Sequence, residues 1–137
     1  MSINRVVLPD LKAMSLDEQM DFLHSKNRVD VGTRRFVASS PYASPLVIRH
    51  LLDDNAADVR ATVANRQDDA TERNNHYLRK DRSPLVHQSI ACNPFTADYT
   101  LIDLSYFSKD RMTLLYVMEN PNTPEDVRQR LTREIFN

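Results

Sequence analysis

A pattern returns along this chain every 26 or 27 residues, and it leaves few folds open. The segments Val37-Ala38-Ser39-Ser40-Pro41, Val63-Ala64-Asn65-Arg66-Gln67, Ile90-Ala91-Cys92-Asn93-Pro94 and Val117-Met118-Glu119-Asn120-Pro121 begin 26, 27 and 27 residues apart. A second apolar column, Leu51, Leu78, Leu104 and Leu131, keeps step at 27, 26 and 27. Two apolar columns in one register place equivalent side chains of successive units in a shared interior, the signature of stacked repeats.

Each unit reads as two short helices. Ser44 suits an N-cap and Pro45 the first helical position, and Val47, Ile48, Leu51 and Leu52 follow at helical spacing until Asp53-Asp54-Asn55 ends the run. A second helix starts near Asp58 with Val59, Thr62 and Val63, and the Asn-Pro pairs of other units mark its stop. Thr123-Pro124-Glu125-Asp126 opens the last helix, which holds Val127, Leu131 and Ile135. Ser15 and Glu18 form a capping-box pattern ahead of Met20, Phe22 and Leu23. The reading is one all-α helical-repeat domain over 1–137, with an N-terminal cap at 1–32 and repeats at 33–137. Gly32 is the only glycine, which disfavours hairpins and phosphate-cradling loops that use positive φ.

Val59-Arg60-Ala61-Thr62-Val63-Ala64, Asn93-Pro94-Phe95-Thr96 and Asn120-Pro121-Asn122-Thr123-Pro124-Glu125-Asp126-Val127 resemble the units of the leucine-rich repeat variant family. The resemblance covers residues 33–137. It implies a right-handed α-solenoid (α-α superhelix) of about four short two-helix repeats, similar to HEAT-like stacks, and no catalytic activity. Short charged repeats of this kind are similar to bacterial and phage ones. An iron–sulfur cluster accompanies some such repeats through a cysteine-rich N-terminal segment, which this sequence does not contain, so no cofactor is expected. Unit two departs from the pattern: Arg66-Gln67-Asp68-Asp69 replaces the proline turn, and Asn74 stands in the column of Val47 and Val127. Its helix is expected to pack less well.

With 18 basic and 19 acidic residues, the chain has no global field to draw it to nucleic acid or an anionic membrane. The lone Cys92 excludes an intramolecular disulfide and thiolate-clustered metal sites, and fits a reducing, cytoplasmic setting. The apolar run before Pro9 is too short for a signal peptide. His24, His50, His76 and His87 lack the spacing that puts two ligands on one helical face, so they read as solvated, with no metal. No nucleophile motif surrounds Ser105 or Asp103, and no catalytic residue is expected.

Three surfaces are left as binding candidates. Arg34, Arg60 and His87 share one repeat column before Leu114 replaces them; they form either a phosphate-tracking stripe or bonds to neighbouring helix ends. The polar stretch 66–82 offers Arg73, Arg79, Lys80 and Arg82 to an acidic protein or to phosphates, in a field diluted by Asp68, Asp69, Glu72 and Asp81, or forms a solvated helix with pairs such as Asp69–Arg73. Tyr42 and Phe95 follow their turn prolines and project from one loop edge or join a local aromatic core. The resulting expectation is a non-enzymatic module that mediates protein–protein interaction. The alternative is a nucleic-acid-binding repeat using Arg34, Arg35, Arg60 and Arg66. Leu131, Ile135 and Phe136, just before Asn137, carry a further expectation of self-association or partner docking at that end, unless Arg128, Gln129, Arg130, Arg133 and Glu134 make it polar.

Overall fold

The computed structural model describes residues 8–24 and 29–137, and these are helical with no strand. After a single 3₁₀ turn at Leu11–Ala13 come α1 (Leu16–Leu23), α2 (Val31–Ser39), α3 (Pro45–Leu51), α4 (Ala57–Ala64), α5 (Thr71–Leu78), α6 (Pro84–Cys92), α7 (Asp98–Phe107), α8 (Arg111–Glu119) and α9 (Glu125–Phe136). The first seven residues, with most of the apolar run before Pro9, and residues 25–28 of the expected cap lie outside the described residues.

Local chemistry sets the helix starts. Ser15 and Glu18 close the expected capping box on α1, Asp30 accepts the Thr33 amide at 2.7 Å, and Asp110 accepts the Thr113 amide at 3.0 Å. Pro45 and Pro84 occupy first-turn positions where a missing N–H is harmless. Ser44 is the N-cap residue of α3, but its hydroxyl makes no capping bond; its amide instead donates to Gln19 Oε1 at 2.8 Å.

Helices of seven to twelve residues are too short to stand alone in water, so packing holds them. The even-numbered helices α2, α4, α6 and α8 pack on one another in chain order, and each odd helix of the later units leans on its even neighbours. Between them lie both columns read from the sequence. Val37, Val63, Ile90 and Val117, and Leu51, Leu78, Leu104 and Leu131, are all buried. In α1 the buried residue is Gln19, whose amide nitrogen donates to the carbonyls of Leu11 and Tyr42, each at 3.1 Å; Met20, Phe22 and Leu23 pack partly buried against the core. This one side chain ties the cap to the turn ahead of α3.

The turns from even to odd helices are tied by a second set of side chains. Asn120 Nδ2 donates to Ala91 O at 2.8 Å and Asn93 O at 3.0 Å, and Asn93 Nδ2 donates to Ala64 O and Arg66 O, both at 2.8 Å. Arg66 takes the same place in unit two: its Nη1 reaches Ala38 O at 2.7 Å and Ser40 O at 2.9 Å. Each turn therefore satisfies carbonyls at the end of the preceding unit's helix, groups that cost free energy if buried unpaired.

Candidate functional site

The cationic column proves to be a ladder of helix-end contacts. Arg34 donates Nε to Asp54 at 2.8 Å and Nη1 to Val29 O at 2.6 Å; one unit on, Arg60 donates Nε to Asp81 at 2.7 Å and Nη1 to Asp54 O at 2.7 Å. The facing positions, too, repeat every 27 residues, as Asp54, Asp81, Ser108 and Ile135. Donor and acceptor change together along the stack: Arg with Asp twice, then His87 with Ser108 at 3.3 Å, then Leu114 and Ile135, both packed against the core. The Asp81 hydrogen bond pushes the Arg60 guanidinium pKa up. Burial works to raise the Asp81 carboxyl, but Arg60, the Ser83 amide and the His87 charge together hold it below the usual carboxylate range.

His87 corrects the expectation of solvated histidines. It is buried, its ring meets Phe107 edge-on at 5.5 Å, and its Nε2 has no hydrogen-bond partner among the described residues. Burial lowers its pKa, against the opposing pull of the Asp81 carbonyl and the Asp81 and Asp110 carboxylates. His24 and His50 stack edge-on at 4.8 Å, and His76 donates to or accepts from Thr100 at 3.0 Å. Among the described residues no cluster of three metal-ligating side chains occurs.

Other candidates separate. Arg79 pairs with Asp103 at 3.0 Å and donates to His76 O at 2.8 Å, while Arg66 is held by Asp68 at 3.0 Å besides its two carbonyls. Tyr42 and Phe95 are half exposed on equivalent turns, their amides fixed by Ser40 Oγ at 3.2 Å and Asn93 Oδ1 at 2.9 Å. Cys92 is exposed at the end of α6, its thiol pKa pushed up by burial of the sulfur and by Glu119, which leaves it little thiolate character. In α9, Leu131 is buried while Phe136 is exposed, with the Arg111 guanidinium 5.9 Å from its ring.

One place brings candidate residues together with groups that the sequence reading did not single out as a site. Two hollows of about 470 and 310 Å³ share Arg73 and Asn74 and run between α3 and α5. Pro41, Ala43, Pro45 and Ile48 give the first an apolar wall, with Arg66, Asp68 and Asp69 on its far side; Arg49, Leu52, Asp53 and Tyr77 complete the second. The groove lies beside the irregular unit two. Its turn lacks the proline of its neighbours, and short amides at Asn74 and Asn75 stand where α3 carries Val47 and Ile48. Asn75 is fully buried and satisfied on Nδ2 by Ala64 O at 3.1 Å and Thr96 Oγ1 at 3.0 Å, leaving its Oδ1 without a partner.

Asn74 differs. It is 3% exposed, it lines both hollows, and its carboxamide makes no hydrogen bond among the described residues. Arg49 and Arg73 flank it, both exposed and neither in a salt bridge among the described residues; the Asp69–Arg73 pair expected from the sequence does not form. Asp53, in the same groove, accepts the Tyr77 hydroxyl. Asn74 was visible in the sequence as a break in an apolar column, and Arg49 gave no signal at all. No described helix is long and apolar enough to cross a membrane. Comparison with protein-family models, characterised proteins and solved structures gives no match.

Proposed function

We propose that this chain is a non-enzymatic helical-repeat module, a right-handed solenoid of the leucine-rich repeat variant type, which binds another protein in the α3/α5 groove. The observation that carries the reading is the Asn74 carboxamide, which has no hydrogen-bond partner among the described residues and opens into a groove walled by Pro41, Pro45 and Ile48. An amide that makes no bond within the protein is free to pair with a ligand, and an extended peptide backbone supplies the donor and acceptor that match it. The apolar wall supplies the desolvated contact that protein recognition needs. With one exposed thiol, the setting we assign is the reducing cytoplasm.

Three of the four cations named for the nucleic-acid alternative are already engaged: Arg34, Arg60 and Arg66 each hold an acidic side chain and a backbone carbonyl, and Arg35 alone is exposed and in no salt bridge among the described residues. Releasing them to phosphates would uncap the turns they hold.

The test places a photo-crosslinking amino acid at position 73, on the groove, or at position 35, on exposed α2, and compares the products in host cells. A discrete protein adduct from position 73 and not from position 35 is expected. Adducts to nucleic acid instead, with binding that falls steeply as salt rises, would transfer the assignment to the alternative.

A further inference from the structure

We infer that the groove recognises acidic side chains: its ligand is a peptide segment bearing Asp or Glu, received by Arg49, Arg73 and the Asn74 amide. This rests on the protein-binding reading and adds the chemistry of the partner. The lower hollow is lined by Arg49, Leu52, Asp53, Arg73, Asn74 and Tyr77, so two guanidinium groups and one buried amide share about 310 Å³ with a single carboxylate. The Tyr77 hydroxyl donates to Oδ1 of that carboxylate, Asp53, which keeps its charge, so guanidinium groups outnumber carboxylates in the lining two to one. The four arginines of the α2-to-α7 region that pair internally, Arg34, Arg60, Arg66 and Arg79, each have an Asp within 3.0 Å. Among the described residues Arg49 and Arg73, like Arg35 and Arg82, have none, and of these only Arg49 and Arg73 line the same hollow.

Guanidinium groups present paired N–H donors that match the two oxygens of a carboxylate, and such charge-assisted bonds are about twice as strong as neutral ones. Asn74 Nδ2 adds a third donor from the floor, and its Oδ1 is left to accept a peptide N–H. At the upper end, the exposed Asp69 stands on the rim, while Asp68 is held by Arg66. An acidic residue of the ligand therefore sits over the lower hollow, away from Asp69, with its apolar neighbours against Pro41, Pro45 and Ile48.

The experiment selects short random-sequence phage-displayed peptides on the intact protein, in parallel on an R49Q/R73Q double variant and on R35Q, which removes an exposed cation elsewhere. All three substitutions lie on exposed side chains, and circular dichroism confirms that each protein keeps its helices. Peptides enriched in Asp and Glu are expected on the intact protein and on R35Q, with affinity reduced about tenfold or more on the double variant. Asn74→Asp, nearly isosteric and now anionic, is expected to weaken the same peptides at neutral pH. Enriched peptides that are neutral or basic, or acidic peptides that bind the double variant equally well, overturn the acidic chemistry and leave protein binding standing. Failure to enrich any peptide, with single-stranded RNA or inorganic phosphate bound instead through Arg49 and Arg73, overturns both.

Discussion

Arg60 grips Asp81 with two parallel bonds, Nε to Oδ2 at 2.7 Å and Nη2 to Oδ1 at 3.1 Å, and reaches back with Nη1 to the carbonyl of Asp54. One side chain thus joins the turn ahead of α4 to the turn ahead of α6. Both partners are mostly buried, at 15% and 10% exposure of their side chains. Removing Arg60 strands a carboxylate and a carbonyl in a poorly solvated place. Arg60→Ala is expected to cost about 2–4 kcal/mol in urea unfolding. Arg79→Ala provides the contrast, because Asp103 is half exposed and remains solvated; the loss there is expected at or below about 1 kcal/mol.

Leu104 is fully buried between α7 and its neighbours, in the column that defines the repeat. Leu104→Ala is expected to cost roughly 2–5 kcal/mol, as cavity formation at a packed site does. A loss below about half a kcal/mol would mean that the site is not packed as described.

Unit two is expected to open first. Asn74 and Asn75 replace apolar side chains there, and Asn75 Oδ1 is buried without a partner. Hydrogen exchange of the amides from 68 to 76 is expected to be faster than that of 101–104, and equal protection would contradict the assignment.

What the sequence made legible follows from where the free energy is local. Repeat spacing, proline positions and the Ser15 box depend on neighbours a few residues away, and the helices, the capping box and both buried columns stand where that spacing puts them. The role of Arg60 was open between phosphate contact and helix-end bonding, because its partner lies 21 residues further on and only the fold brings it near. Asn93 and Asn120 read as turn formers, yet they also reach carbonyls of the preceding unit. His87 read as solvated because nothing in its own helix marks it as buried; the replacement of Asp by Ser108 in the facing column was the signal for a neutral partner. The groove was least legible, since it is a gap between α3 and α5, and a gap has no residue pattern of its own.

His87 makes stability depend on pH. Its folded pKa lies below the ordinary 6.5, so the unfolded chain binds the proton more readily. The contribution is complete above the unfolded value and is lost as pH falls from there towards the depressed folded value. His87→Leu, the residue that the repeat itself places at 114, is expected to flatten this part of the stability profile. The lowered carboxyls of Asp30, Asp81 and Asp110 act in a separate window: their contribution is present above the ordinary 3.8 and disappears below it. An unchanged slope near pH 6 in the His87 variant would place the titrating group elsewhere.

Hydrogen-exchange mass spectrometry with a peptide selected on the intact protein tests most directly whether a partner sits in the α3/α5 groove. Bound peptide is expected to slow exchange in α3 and in residues 68–78, around Ile48, Arg73 and Asn74, and to leave α2 and α8 unchanged. Protection confined to the even-numbered helices, or none at saturating peptide, would contradict it.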